Sequence, residues 1–335
     1  MKRIEFSVIV PTFNPDFKIF ETIKSVHKSI LKFKQKIKYE IIIVNDGGKK
    51  IEKKIKNINK NINIVNLKKN SGVGFARNYG TKLAKFNKIF YIDSDIVIEE
   101  KTIPTLFKEF IKYKDAGSLG ALQSYKNLNN DYSSKFVCAK SCYGFEDKPN
   151  LYEFSAIHSE CCIVDKFFLQ KIGGWNFFSK SGGEEFELGH RIIENGKKNY
   201  LTKKTRYTTW YESISKKMYK IIYRTSNYLP IILKRKKFES QGAFATKEQF
   251  FSTCITSVLL VYLIFFNYKI NFYVLLSIIL INILAEFNFL KFSKQIHSLK
   301  YIPFSIICIF LINFSLIIGF VYGVINLVLK KNSKN

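Results

Sequence analysis

Up to about residue 214 the chain alternates short runs of β-branched apolar residues with stretches in which apolar positions recur three and four apart. Runs of the first kind suit buried strands and stretches of the second kind suit amphipathic helices. The expected fold class is therefore α/β, a mixed, mostly parallel sheet flanked by helices. Strands are expected at 6–10, 40–44, 62–67, 88–92 and 119–124, with later ones near 154–164 and 206–210. Helices are expected at 16–33, 72–84 and 103–113, the last started by Thr102 and Pro104. No internal repeat is evident.

Farther along, the polar positions thin out. Three runs, about 251–267, 271–290 and 301–329, are almost continuously apolar, and the last exceeds the roughly 20 residues that cross a bilayer as a helix. Three such runs in succession predict a membrane domain over 241–335. Between the two regions, 215–240 mixes Lys216, Lys217, Lys220 and Arg224 with Tyr219, Ile222, Tyr223 and Leu229. That mixture predicts a basic interfacial helix, broken near Pro230, whose cations meet an anionic lipid surface. Three spans place the basic tail opposite the catalytic side, against the positive-inside tendency, unless the run 301–329 forms two pieces near Gly319.

Composition changes this picture in two ways. A formal charge of +28, from 54 Lys and Arg against 26 Asp and Glu, calls for an anionic partner, whether lipid, phosphorylated substrate or nucleic acid. Lys and Asn also crowd inert stretches such as 49–63, so part of that charge carries no message. The six cysteines form no Cys-x-x-Cys pair, which excludes a zinc or disulfide framework as the organising feature. The opening Met-Lys-Arg-Ile-Glu-Phe passes directly into a strand without a signal-peptide core, which predicts a cytoplasmic start.

Chemistry gathers where the strands end. Asp93-Ser94-Asp95 directly follows the apolar run 88–92, and an Asp-x-Asp at the carboxyl edge of a sheet suits a divalent cation bridging a diphosphate. Pro11-Thr12-Phe13-Asn14 and Asn45-Asp46-Gly47-Gly48 close the first two strands with polar groups. The stretch 70–80 combines Gly72 and Gly74 with Arg77 and Asn78, a pattern that lets backbone and a forked cation face a nucleotide phosphate. Glu184 and Glu185 open a helix after Gly182 and Gly183. A carboxylate there either caps the helix or serves as general base toward a hydroxyl. His158 and His190 read as packed histidines rather than ligands.

In order along the chain, these motifs resemble glycosyltransferase family 2, whose members share the GT-A fold. The resemblance covers roughly residues 5–200 and rests on 11–14, 45–48, Asn70 with 74–80, 93–95 and 182–188. It implies a donor site of Pro11, Thr12, Asn14, Asp46, Gly74, Arg77, Asn78, Asp93 and Ser94. Asp46 would meet the nucleobase, Arg77 the nucleotide, and Asp93 and Asp95 the ribose and a Mn²⁺ or Mg²⁺ ion on the diphosphate. Glu185, or its neighbour Glu184, would be the catalytic base. Two departures stand out: Glu185 where the family commonly has Asp, and Trp210-Tyr211 where many relatives place a His. A Gln-x-x-Arg-Trp signature of processive synthases is absent, which implies transfer of a single sugar.

The expected function is an inverting, metal-dependent transfer from a nucleotide-diphospho-sugar, a uridine one in the family pattern, to a lipid-linked or membrane-surface acceptor in cell-envelope synthesis. The expected setting is the cytoplasmic membrane, multi-pass, with the catalytic domain over 1–214 facing the cytoplasm. A polyprenyl-phosphate sugar synthase is the nearest rival, since an ionised acceptor phosphate needs no base. A non-catalytic nucleic-acid-binding membrane protein is a distant one: no recognition helix or aromatic platform supports it, and no nucleic acid is expected as partner.

Overall fold

The structure is a computed structural model that describes residues 4–129, 131–176, 183–235, 246–265 and 271–332. Gly182, residues 236–240 of the basic segment, the end of the first apolar run and the tail 333–335 lie outside the described residues. The chain divides into two compact units, Met1–Ser124 with Lys148–Trp210, and Tyr125–Asp147 with Tyr211–Asn335.

The first unit is organised by one sheet. Strands β1 (Ile4–Thr12), β2 (Ile37–Asn45), β3 (Ile62–Asn66) and β4 (Lys88–Ile92) run parallel in the order β3-β2-β1-β4. Beyond β4 the sheet is mixed. It continues through β8 (Cys161–Asp165), β6 (Ala116–Asn127), β9 (Lys198–Thr209) and the short β5 (Ile96–Ile98), while β7 (Leu151–Phe154) pairs with β9. The region expected as one strand near 154–164 is thus two strands, joined by a turn.

Alternation along the parallel strands divides the core between two faces. Val8, Val10, Ile41 and Ile43 pack with α1 (Lys18–Ile30) and α3 (Thr102–Lys112), whereas Ile9, Ile42 and Val44 pack on the other side. That second face is covered by α2 (Val73–Leu83), α5 (Lys166–Lys171) and α6 (Glu184–Glu194) through Ala76, Leu169, Leu188 and Ile192. Burial on both faces explains why these strands read as unbroken apolar runs. It also leaves the carboxyl ends of β1, β2 and β4 at one edge.

The second unit is helical: α4 (Tyr132–Tyr143), α7 (Ile214–Arg235), α8 (Lys247–Phe265), α9 (Phe272–Ala285), α10 (Phe287–His297) and α11 (Ile302–Asn332). Among the described residues, α8 and the run Leu299–Leu329 are long and apolar enough to cross a membrane. The apolar run expected to cross at 271–290 falls on α9 and the start of α10, which are long and apolar enough only as a pair and are bent by 63°, a third span if the bent pair is one. At the bend the Glu286 carboxylate receives Lys140 Nζ at 2.6 Å, both side chains fully buried. A polar knot binds α8, α9 and α11: Asn313 Nδ2 donates to Ser252 Oγ and Thr256 Oγ1, both at 2.8 Å, and Asn282 Nδ2 to Thr256 Oγ1 at 2.7 Å. Satisfying these amides among apolar helices removes the cost of burying them.

α7 does not break at Pro230, and α11 does not divide at Gly319. The two helices meet at close range. A Cβ on Gly319 would stand 2.8 Å from the Ile222 carbonyl, and one on Gly323 would stand 3.1 Å from Ser226 Cα, so these glycines let the helices touch along their backbones. Glu212 also neutralises part of the basic start of α7, meeting Lys220 at 2.6 Å and Lys217 at 3.9 Å.

Candidate active site

Three strand-end loops interlock at the carboxyl edge. Asn14, held at φ +48°, accepts the Lys49 N–H at 3.0 Å, and a Cβ on Gly48 would stand 2.1 Å from its Oδ1. Asp46, 3% exposed, follows β2 and donates its own N–H to the Thr12 carbonyl at 2.8 Å. Its carboxylate accepts the Ser71 N–H at 2.9 Å and the Gly72 N–H at 2.7 Å. Burial raises the Asp46 carboxyl above its ordinary value, against the pull of those two N–H groups. Asp46 therefore holds the loop that launches α2.

These loops surround a cavity of about 550 Å³ lined by Pro11, Thr12, Asn14, Asp46, Gly74, Asp93, Ser94, Asp95 and Glu184. Nine of the residues singled out in the sequence meet there. Arg77, Asn78 and Glu185 take other positions. Arg77 is 2% exposed, behind Asp93: its Nη2 donates to Asp93 Oδ1 at 2.9 Å while its guanidinium lies 4.6 Å from the centre of the Trp175 ring. Asn78 and Trp175 exchange two hydrogen bonds, of 2.8 and 2.9 Å, through the Trp175 backbone. Glu185 accepts from Ser159 Oγ at 3.3 Å and is near enough to Arg77 to add to the guanidinium's electrostatic stabilisation.

Burial, with the negative Asp95 and Glu160, pushes the Asp93 carboxyl up to about 7 against the attraction of Arg77. Asp95 is exposed. Two hard carboxylates one residue apart, with room for phosphate oxygens, are a donor set that suits Mg²⁺ or Mn²⁺, ions that take few protein ligands. Among the described residues no group of three His, Cys, Asp or Glu side chains is arranged to hold a metal. The residues fit an ion completed by substrate.

Residues 7–173 match the family described as Glycosyl transferase family 2. The chain belongs to glycosyltransferase family 2. It is similar to the minor teichoic acid biosynthesis protein GgaB of Bacillus subtilis, 29% identical over 61% of this chain and 22% of that protein. It is also similar to the poly(ribitol-phosphate) beta-N-acetylglucosaminyltransferase TarP of Staphylococcus aureus, 37% identical over 32% of each. The matched stretch is thus well under half of either relative. A solved structure of GalNAc-T7 with UDP, GalNAc and Mn²⁺ shares the fold, with a TM-score of 0.50 at 18% identity, covering 62% of this chain and 43% of that one. The fold of the glycosyltransferase is accordingly GT-A-like.

Several supports of this family 2 site carried no signal in the sequence. Arg191 of α6 pairs with Glu187 at 2.5 Å and donates to the carbonyls of Ile172 and Gly174, fixing the turn that presents Trp175. Glu160 accepts from Gln123 Nε2 at 2.9 Å and from the Tyr207 hydroxyl, and its carbonyl accepts the Asp93 N–H at 2.9 Å. Apart from the Glu187–Arg191 pair, four residues apart on α6, these contacts join residues distant in the chain, so periodicity and motif spacing were silent about them.

Proposed function

We propose that this family 2 glycosyltransferase moves a single sugar, with inversion, from a nucleotide-diphospho-sugar to an acceptor at the membrane surface. The observation that carries the reading is the convergence of Asp46, Asp93, Asp95 and Glu184 on one cavity at the carboxyl edge of a parallel sheet, with Glu185 beside it. The similarity to a teichoic acid biosynthesis protein supports a role in cell-envelope polymer synthesis. Uridine donors agree with the UDP in the GalNAc-T7 structure.

In this reading Asp46 and the loop 70–74 bind the nucleoside end of the donor, and Asp93 and Asp95 hold a divalent cation. A bound Mn²⁺ or Mg²⁺ supplies charge neutralisation for the departing diphosphate. Arg77 aims Asp93 and favours its ionised form against the burial that opposes it. Glu185 takes the proton of the acceptor hydroxyl as its oxygen attacks the sugar, and Glu184 shapes the donor cavity. The apolar helices hold the enzyme at the cytoplasmic face of the bilayer as a multi-pass protein, where lipid-linked acceptors reside, and Lys216 and Arg224 add attraction to anionic lipid.

The test is release of nucleoside diphosphate from a panel of nucleotide sugars by the detergent-purified chain, with Mn²⁺ or EDTA and with or without a lipid extract. Metal-dependent release stimulated by lipid is expected from one donor. Folded protein that releases nothing from any donor would refute the transferase reading for this chain.

A further inference from the structure

We propose that Phe17 and Trp210 form an aromatic shelf, beside Asp95, on which the pyranose ring of the nucleotide-sugar donor stacks. This rests on the donor reading above. The pairing of β5 with β9 sets Ile96 opposite Thr209, so the next step of the register brings Trp210 alongside Asp95. Thr209 Oγ1 pins the junction by donating to the Asp95 carbonyl at 3.1 Å. Phe17 then meets Trp210 edge to face, ring centres 5.7 Å apart at 88°.

A phenyl ring 63% exposed at the start of a helix gains little from folding, and its neighbours Asp16 and Lys18 both line the donor cavity. Exposed aromatic surface next to a polar cavity suits a ligand with an apolar face. A sugar ring has one, made by its axial C–H bonds. The order β2-β1-β4 puts Asp46 and Asp95 on opposite sides of β1. A nucleotide with its base by Asp46 therefore extends its diphosphate toward Asp95, and its sugar toward the rim of the cavity, where Phe17, between the lining residues Asp16 and Lys18, meets Trp210.

The chain has two tryptophans, Trp175 1% exposed and Trp210 at the proposed shelf, so a ligand that stacks on accessible indole changes emission through Trp210, and the Trp210→Phe variant separates that change from the signal of Trp175. The full chain in detergent is titrated with UDP, UDP-glucose, UDP-galactose and UDP-N-acetylglucosamine in Mn²⁺. At least one nucleotide sugar should change the emission beyond the effect of UDP, and Trp210→Phe should abolish that change while leaving UDP affinity intact. Trp210→Ala and Phe17→Ala should raise the KM for that donor about tenfold, roughly the worth of one aromatic contact, with Trp210→Phe restoring most of it. Phe17→Ala alters an exposed residue and keeps the test decisive if Trp210→Ala misfolds. A full response to UDP alone, an unchanged donor KM, or a raised acceptor KM in its place overturns the shelf. Failure of all four nucleotides to bind the parent chain instead refutes the uridine donor on which the shelf rests.

Discussion

Arg77 Nη2 and Asp93 Oδ1 form a 2.9 Å ion pair in which the cation is 2% exposed and the carboxylate 25%. The pair ties α2 to the end of β4, so the cation that the motif offers to a nucleotide is spent on the carboxylate beneath it. Among the described residues the Arg77 Nε and Nη1 find no hydrogen-bond partner, and the Trp175 face covers part of that deficit.

Removing Arg77 should therefore cost folding before it costs binding. Arg77→Ala leaves a partly buried carboxylate without its counter-charge, a loss of roughly 3 kcal/mol. Thermal unfolding in detergent checks this, and the double variant Arg77→Ala/Asp93→Ala should be less damaged than the two losses added together.

Asp46→Ala frees the Ser71 and Gly72 N–H groups that its carboxylate now accepts. Hydrogen bonds to a charged group are each worth about 1.5–3 kcal/mol, so donor KM should rise at least about tenfold. Steady-state kinetics against the donor found in the transfer assay measures it, with Asp46→Asn intermediate.

Glu185→Gln and Glu184→Gln separate the two carboxylates. If Glu185 is the base, its amide variant should lose roughly a hundredfold to ten-thousandfold in kcat, whereas Glu184→Gln should act mainly on donor KM. A fully active Glu185→Gln enzyme would point to an acceptor already ionised, such as a polyprenyl phosphate.

A distant carboxylate gives a pH signature of stability. Burial works to raise the Asp165 carboxyl, but Lys88 at 2.7 Å, the Phe168 N–H at 3.0 Å and Asn87 at 2.7 Å together bring it below its ordinary value. A lowered carboxyl stabilises the fold fully above its unfolded value, about 3.9, and that contribution disappears as pH falls through the folded value. Asp165→Asn, which also weakens the cap of α5, should cost about 1 kcal/mol at pH 7. The difference from the parent in thermal unfolding should shrink below about pH 4.

Gly319→Leu forces a side chain into the space where α7 meets α11, 2.8 Å from the Ile222 carbonyl. Overpacking of this kind costs about 1–3 kcal/mol. A lower melting temperature of the detergent-solubilised protein is expected, with Gly319→Ala milder.

Local pattern determined what local physics can. β-branched apolar runs placed β1 to β4 within a few residues, since a strand buried on both faces needs them, and the polar groups ending those runs marked the edge where ligands bind. The ordered motifs sufficed for the family. What they left open required partners far along the chain. α4 shows no helical stripe, its buried Ser134, Lys140 and Ser141 interleaved with Phe136, Val137 and Cys138, because it is buried among α10 and α11 rather than laid on a sheet. The Glu286 carboxylate buried at the bend finds its counter-charge in Lys140, 146 residues away, and no reading of the apolar run itself reveals that partner. Arg77 has the same sequence whether it faces a phosphate or Asp93, and only the packing of Trp175 behind it turns it inward. Periodicity records which face of an element is apolar; which neighbour covers that face, and which charge it finds there, is decided when the elements meet.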